Sequence, residues 1–445
     1  MSRFSSADGV YEYLNRFLNF ERKLEPTEYR LDRMRALHEL HGRPDRAFRV
    51  VHVAGSKGKG STSAMIASVI GRSHGPVGLF TSPHLLSFTE RIMVDGRPVD
   101  TAILCACAER LAAAMDGLGP EDFPGGENPT YFELLTLLGF LCFREAGCAW
   151  AVIEVGLGGR LDSTNVVEPE ACVITPIELE HTELLGNTIA AIAGEKAGIM
   201  KPGVPVFTSA TRPEALAVFR ETAARLGSPL TVLGEAALLS ELSIGREGTS
   251  VTVRFGKPVG GCGEIRLRTP MIGAVQAQNA ALAAMTTLSL GFTEADTVAG
   301  IAQAALRARF EIVPSVPPVV LDGAHTADSI RACADDFRRI FPGGGLLLFG
   351  CAKDKNPAAM AAELAGSFDR ALITRPGTFK ESDPPAMARA FTEAGMAVEL
   401  LEDTAEAIAA ARSRSRETGL PLLVTGSFYL CAEAARLLEK DSSGS

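Results

Sequence analysis

Seven consecutive residues carry the first chemistry legible in this chain: Gly55, Ser56, Lys57, Gly58, Lys59, Gly60 and Ser61. The run before them, 48–55 (FRVVHVAG), reads as a strand. After them Met65, Ile66, Val69 and Ile70 recur at the spacing of a helix's apolar face. Glycines between a strand and a helix let backbone N–H groups turn inward, and the helix N-terminus adds positive potential. That is a cradle for phosphate, with Lys59 placed to reach the terminal groups. Only two residues separate Gly55 from Gly58, so the spacing is not that of the common G-x-x-x-x-G-K-[ST] loop. The plainer reading is a glycine-rich turn with exposed lysines. A strand before, a helix after and a lysine in place favour nucleotide binding.

A second set suits a hard metal ion. Glu154 ends an apolar strand and is followed by Val155, Gly156, Leu157, Gly158, Gly159 and Arg160. A lone carboxylate among apolar residues is costly unless it is paired or metal-bound. Beside a phosphate loop the first candidate is Mg²⁺; the alternative is a structural salt bridge to Arg160. His181 follows another strand, next to Glu180, although a lone histidine is more often structural. Ser82 ends a third strand, before Pro83 and His84, where its hydroxyl suits either a Mg²⁺ shell or a helix N-cap.

These positions need elements to hold them. Short β-type runs at 49–54, 77–81, 150–155, 171–175 and 204–208 alternate with helical patterns such as 61–70 and 188–199. That alternation predicts an α/β fold with a doubly wound, mostly parallel sheet. Val251, Val253 and Phe255 alternate with polar residues, as do Ile265 and Leu267, around the Gly-rich 259–263; this reads as a hairpin in a small antiparallel sheet. A second α/β series follows Pro314, Pro317 and Pro318, with strands expected at 318–321, 346–349, 371–374 and 420–425. The boundary falls near 306–311, giving domains 1–307 and 308–445. Ligands of open α/β sheets sit outside the carboxyl ends of the strands. Here those ends carry Gly55, Ser82, Glu154, Thr175, Asp322, Gly350, Gly426 and Ser427.

Composition narrows the field. The 445 residues are 46% hydrophobic and 22% charged, which excludes disordered, collagen-like and coiled-coil classes. Lys and Arg number 44 against 53 Asp and Glu, a net charge of −9, which argues against nucleic-acid or anionic-membrane partners. Nine cysteines without a Cys-x-x-Cys pair read as reduced residues of a cytoplasmic protein, not as a disulfide framework or zinc site. Residues 1–13 have no apolar signal core, and the longest apolar run, 134–143, is too short to span a bilayer.

Further motifs stand along the chain. Ser82-Pro83-His84-Leu85 leads to Glu90-Arg91-Ile92, and Thr130-Tyr131-Phe132-Glu133 follows. Glu154 to Arg160 continues into Leu161-Asp162, and Glu195-Lys196-Ala197-Gly198-Ile199 precedes Lys201-Pro202-Gly203. Arg309-Phe310-Glu311, Asp322-Gly323-Ala324-His325 and Thr425-Gly426-Ser427-Phe428 complete the set. Together, over roughly residues 10–435, they resemble the folylpolyglutamate synthase / dihydrofolate synthase family, a branch of the Mur-type ligases.

The resemblance implies an N-terminal P-loop ATPase-type domain with a small antiparallel sheet, a C-terminal Rossmann-like domain and an active site between them. It implies an ATP-dependent ligase: a folate or dihydropteroate carboxylate is phosphorylated and then joined to L-glutamate, releasing ADP and phosphate. By the same resemblance Gly55 to Ser61 hold the ATP phosphates, with Lys59 catalytic. Ser82, Glu154 and His181 hold Mg²⁺, of which two ions are expected. Lys196 matches a lysine that is carbamylated in the family and then ligates metal; its residue type alone reads as a surface lysine. Asn279, Arg309 and Asp322 match nucleotide contacts. Thr130, Tyr131, Phe132, Glu133, Leu161, Asp162 and Ser163 match the folate pocket. His325 and Ser427 match positions that handle the incoming amino acid or the phosphoryl group, and a monomer is implied.

Several positions depart from the family pattern. Lys57 stands for Asn, Glu180 for Asp, Val275 for His, Thr326 for Asn and Asn356 for Asp. Lys57 and Thr326 motivate a second reading, an ATP-binding protein with lost or altered ligase activity. A third is a Mur-type ligase for a cell-wall carboxylate, against which Thr130 to Glu133 and Asp162 argue.

Overall fold

A computed structural model describes residues 3–19 and 29–443. The first sheet has eight strands: β1 (Arg49–Ala54), β2 (Val77–Phe80), β3 (Ile92–Val94), β4 (Arg97–Pro98), β5 (Trp150–Glu154), β6 (Ala171–Ile174), β7 (Val206–Thr208) and β8 (Leu230–Val232). Their order is β4-β3-β2-β5-β1-β6-β7-β8. The six from β2 to β8 in that order run parallel, while β3 and β4 turn back as an antiparallel edge. The five expected strands are all present, shifted by two residues at most. β3, β4 and β8, of three, two and three residues, are too short to show a period. The register sets Val53 beside Glu154 and Val173, so β1, β5 and β6 deliver their carboxyl ends side by side.

A core covers each face of this sheet. On one side lies the helix Tyr131–Glu145, whose Leu134, Leu137, Leu138, Phe140 and Phe143 are fully buried. The ten-residue apolar run is thus a core helix, and each such side chain contributes about 1.5–3 kcal/mol. On the other, Ile192, Ala193, Ala197 and Ile199 pack with Phe219 and so fix the helix Ile189–Ala197 that carries Lys196.

The small sheet has three strands, β9 (Ala237–Gly245), β10 (Gly248–Val259) and β11 (Cys262–Thr269), in the order β11-β10-β9. Gly260 and Gly261, with φ of 56° and 83°, make the two-residue turn that the expected hairpin requires. β9 was not legible: Leu238 and Leu242, four residues apart, imitate a helix, and both are exposed.

The last sheet is β12 (Glu311–Val313), β13 (Val319–Leu321), β14 (Leu346–Phe349), β15 (Arg370–Ile373), β16 (Ala397–Leu400) and β17 (Leu422–Thr425). Its order is β12-β13-β17-β14-β15-β16, parallel except for β12. The four strands expected from sequence are β13, β14, β15 and β17; the two edges carry too little apolar character to be read.

The chain divides into two compact units: Met1–Glu241 with Val251–Arg268 and Gln278–Ala304, and Leu242–Ser250 with Thr269–Ala277 and Ala305–Ser445. All nine cysteines are buried thiols. Among the described residues no helix is long and apolar enough to cross a membrane.

Candidate active site

The phosphate loop is built by close approach. Gly55 has φ 142°, and a Cβ there would lie 1.8 Å from Thr175 Oγ1. Ser56 N donates to Pro176 O at 2.9 Å and Ser56 Oγ to Glu178 O at 3.2 Å, so the segment after β6 ties the loop down. Gly58, with φ 85°, caps the helix Lys59–Ile70, and a Cβ on it would meet Asn279 Oδ1 at 2.5 Å. The expected nucleotide contact Asn279 is therefore brought against the loop. Lys59, Gly60 and Ser61 form the first helical turn, whose amides lack partners within the helix and whose dipole favours anions. Two positions that only glycine can fill, at a helix N-terminus, fit a phosphate chain.

Lys196 is no surface lysine; it is 2% exposed. Its Nζ donates to Gly55 O at 2.8 Å and to Glu180 Oε1 at 3.0 Å. Lys57 Nζ lies 3.8 Å from Glu180 Oε2. Burial would push the Glu180 carboxyl up, but Lys196, Lys59, Lys57 and His181 outweigh it and hold it near 2. Burial pulls Lys196 down to about 8, against the opposing pull of Glu180. His181 takes a left-handed conformation, φ 47°, at the start of the turn Thr182–Leu185.

Glu154, 3% exposed, accepts the Ser82 N–H at 3.1 Å through Oε2. The expected alternative partner Arg160 instead pairs with Glu195 at 2.8 Å, because its own N–H is fixed to Glu195 O at 2.8 Å. Among the described residues no three His, Cys, Asp or Glu side chains gather as a metal site. One buried carboxylate against the Ser82 backbone nonetheless fits Mg²⁺, which takes most of its shell from phosphate and water.

The residues expected in the folate pocket fall into two sets. Thr130 caps the helix Tyr131–Glu145, and Glu133 closes the capping box by accepting Thr130 N at 2.7 Å and Thr130 Oγ1 at 3.0 Å. The same carboxylate pairs with buried Arg33 at 2.8 Å. Tyr131 is buried, 5.9 Å below the Arg91 guanidinium. Phe132 fills the space that a Cβ on Gly156 would take, 2.4 Å from its ring. In the second set Asp162 accepts Leu157 N at 2.8 Å and Thr164 N at 3.0 Å, which closes the loop that carries Leu161 and Ser163. A cavity of about 610 Å³ is lined by Tyr13, Arg16, Phe17, Arg33, Asp116 and Thr130 among others, and Thr130 alone of the expected acceptor residues borders it.

In the other unit two expected residues, Arg309 and His325, lie against the Phe428 ring. Arg309 stacks 4.2 Å over its ring, and a Cβ on Gly323 would lie 2.3 Å from it. Asp322 accepts Phe310 N and Ala324 N, each at 2.8 Å, and burial pushes its carboxyl up. His325 donates from Nδ1 to Gly323 O at 2.8 Å, which fixes its tautomer when neutral. Buried Ser427 accepts Tyr429 N at 3.1 Å. Thr326 caps the helix Ala327–Ile340, work that an Asn would also do.

Residues 53–287 match the Mur ligase middle domain family, and 308–428 match the Mur ligase glutamate ligase domain family. The folylpolyglutamate synthase of Lacticaseibacillus casei is 35% identical over 419 residues, 92% of this chain and 94% of that one. The chain belongs to the folylpolyglutamate synthase / dihydrofolate synthase family. The Bacillus subtilis dihydrofolate synthase/folylpolyglutamate synthase is 38% identical over 73% of this chain and 76% of its own. The structure of Mycobacterium tuberculosis folylpolyglutamate synthase complexed with ADP and AMPPCP superposes with a TM-score of 0.87 at 29% identity, covering 96% of this chain and 97% of that one. An FPGS–AMPPCP–folate complex superposes at 0.80 with 30% identity, covering 98% and 100%. As a member of this family the protein is an ATP-dependent ligase that forms an amide bond with release of ADP and phosphate.

Three positions in this folylpolyglutamate synthase relative carry site geometry from outside the motifs. Thr175 is the wall that demands glycine at 55. Glu180, read only as a departure, pairs with two lysines of the site. Arg33 reaches Glu133 across 100 residues of sequence, a distance over which no local pattern signals a pair.

Proposed function

We propose that the chain phosphorylates the carboxylate of a folate or dihydropteroate with ATP and joins the resulting acyl phosphate to the amine of L-glutamate. The observation that carries this is the cradle of Gly55, Gly58 and Lys59 beside the Ser82–Glu154 pair, in a chain 35% identical to a folylpolyglutamate synthase along nearly its whole length. A carboxylate repels nucleophiles; phosphorylation gives it a leaving group. Lys59, Lys57 and the amides of the first turn would hold the transferring phosphoryl group, and one such donor is typically worth about 3 kcal/mol. Ser82, Glu154 and His181 would hold Mg²⁺, which when bound neutralises phosphate charge. Two Mg²⁺ ions and a carbamylated Lys196 belong to the same proposal, supported by the burial of Lys196 against the phosphate loop. Leu161, Asp162, Ser163 and Phe132 would face the acceptor. Asn279, Arg309 and Asp322 would contact the nucleotide, and His325 and Ser427 the glutamate. Residues 1–307 are assigned ATP and folate, and 308–445 the glutamate step, in a cytoplasmic monomer without nucleic-acid partners.

The test is ADP release with 7,8-dihydropteroate or tetrahydrofolate as acceptor. Release that depends on both acceptor and L-glutamate is expected with at least one of the two. No glutamate-dependent release with either overturns the proposal. Mass spectrometry of the intact protein under bicarbonate reads out the carbamate on Lys196.

A further inference from the structure

His52 lies on β1, three residues before Gly55, and is fully buried. Its backbone feeds the phosphate loop, but its side chain goes elsewhere. His52 Nε2 is 2.9 Å from Thr164 Oγ1, and Thr164 Oγ1 is 2.5 Å from Asp162 Oδ1. Asp162 also accepts two backbone N–H groups, one on each oxygen, so it is the acceptor of the trio. Thr164 has a single hydroxyl hydrogen, and it goes to Asp162. Thr164 Oγ1 therefore accepts from His52, and Nε2 carries the proton. The other ring nitrogen, Nδ1, is buried with no hydrogen-bond partner. Burial, then the charge on Lys201, hold the ring neutral, down to about 3, so the direction of donation is fixed at working pH.

We propose that His52 is a positioning residue for the acceptor: through Thr164 it fixes Asp162, and with it the loop 156–163, relative to the strand that holds the ATP phosphates. The inference rests on the reading that Leu161, Asp162 and Ser163 face the folate. The donor chain is directional and buried at all three members: losing His52 leaves the Thr164 hydroxyl without its donor, and losing the Thr164 hydroxyl leaves Asp162 short of one. The effect belongs to the acceptor side, because Gly55 O is held separately by Lys196 Nζ and Ser56 by Pro176 and Glu178.

The experiment compares His52→Leu, which removes the donor, with His52→Gln, whose Nε2 donates from a similar reach. Thr164→Val breaks the same chain from its other end and serves if His52→Leu does not fold. Steady-state kinetics with tetrahydrofolate, ATP and L-glutamate are read by ADP release. Expected is a rise of about 10-fold in the acceptor KM for His52→Leu and Thr164→Val, with the ATP KM within about 2-fold. His52→Gln recovers most of that loss. An equal rise in both KM values, or a Gln variant as impaired as Leu, overturns the proposal, as does no change in any variant. Leu161→Ala/Ser163→Ala separates the two layers. If that double variant leaves the acceptor KM unmoved, the pocket assignment has failed; if it moves the KM while His52→Leu does not, only the role of His52 has failed.

Discussion

Glu180 places one carboxylate oxygen 3.0 Å from Lys196 Nζ and the other 3.8 Å from Lys57 Nζ. The two residues that depart from the family pattern around the phosphate loop, Lys57 and Glu180, are thus partners. The extra positive charge at 57 meets a carboxylate with one more methylene of reach than aspartate has.

Coupling between them follows. Lys57→Asn and Glu180→Asp, made singly, should each raise the ATP KM by about 3- to 10-fold, and the double variant should be less impaired than the two effects combined. Side chains in contact typically couple by 0.5–3 kcal/mol, about 2- to 150-fold. Strict additivity in the kinetic cycle would show that the two substitutions are independent.

A contact of backbone with backbone joins the two most specific motifs. A Cβ on Gly159 would lie 2.8 Å from Glu195 O and 3.1 Å from Lys196 Cα. Gly159→Ala is expected to lower stability by about 1–3 kcal/mol and to lower kcat by displacing Lys196. Gly194, on the same helix, has open space around it, so Gly194→Ala should stabilise by up to about 1 kcal/mol with kcat intact. Thermal melts with kinetics on both variants check this; equal effects would remove the packing explanation.

What the sequence showed and what it hid divide along physical lines. The buried parallel strands were readable because short apolar runs such as 150–153 alternate with helical patterns and end at glycine and polar residues. Gly55 and Gly58 were readable as a phosphate loop, and the walls that demand them, Thr175 and Asn279, lie 120 and 221 residues onward, where no spacing rule reaches. Thr130 and Glu133 show the reverse. Their types suggest polar contact with a ligand, but four residues of helix start consume their hydrogen bonds locally. Lys196 carries no sign of burial in its own segment; it is covered because Gly55 and Glu180 arrive in the loops after β1 and β6.

Asp336 offers a pH test in the other unit. Burial, ahead of the opposing Arg339 and the reinforcing Asp322, pushes its carboxyl up to about 6. The unfolded chain releases that proton near its ordinary value, so between the two the folded state binds more protons. Stability is therefore lost as pH rises through about 6 and is fully present below about 4. Asp336→Asn keeps an acceptor for the Ala274 N–H and removes the charge. Above pH 6.5 it should exceed wild type by about 2 kcal/mol, and below pH 4 the two should coincide. Urea unfolding across pH 4–8 measures the difference; a pH-independent offset would assign it to packing.

Arg33 and Glu133 decide whether Glu133 serves the ligand or the fold. Both side chains are at most 4% exposed, and the carboxylate also holds Thr130 N and Oγ1. Removing one partner of a buried pair strands the other charge, at a typical cost of 3–5 kcal/mol, whereas replacing both restores much of it. Arg33→Met should therefore lower Tm by roughly 10 °C. Arg33→Met/Glu133→Gln should recover more than half of that loss, since Gln still accepts from Thr130 N. The acceptor KM, measured below the melting range, should change by less than about 3-fold in the double variant. A Glu133→Gln protein with unaltered Tm and an acceptor KM raised 10-fold or more would reverse the assignment and return Glu133 to the folate pocket.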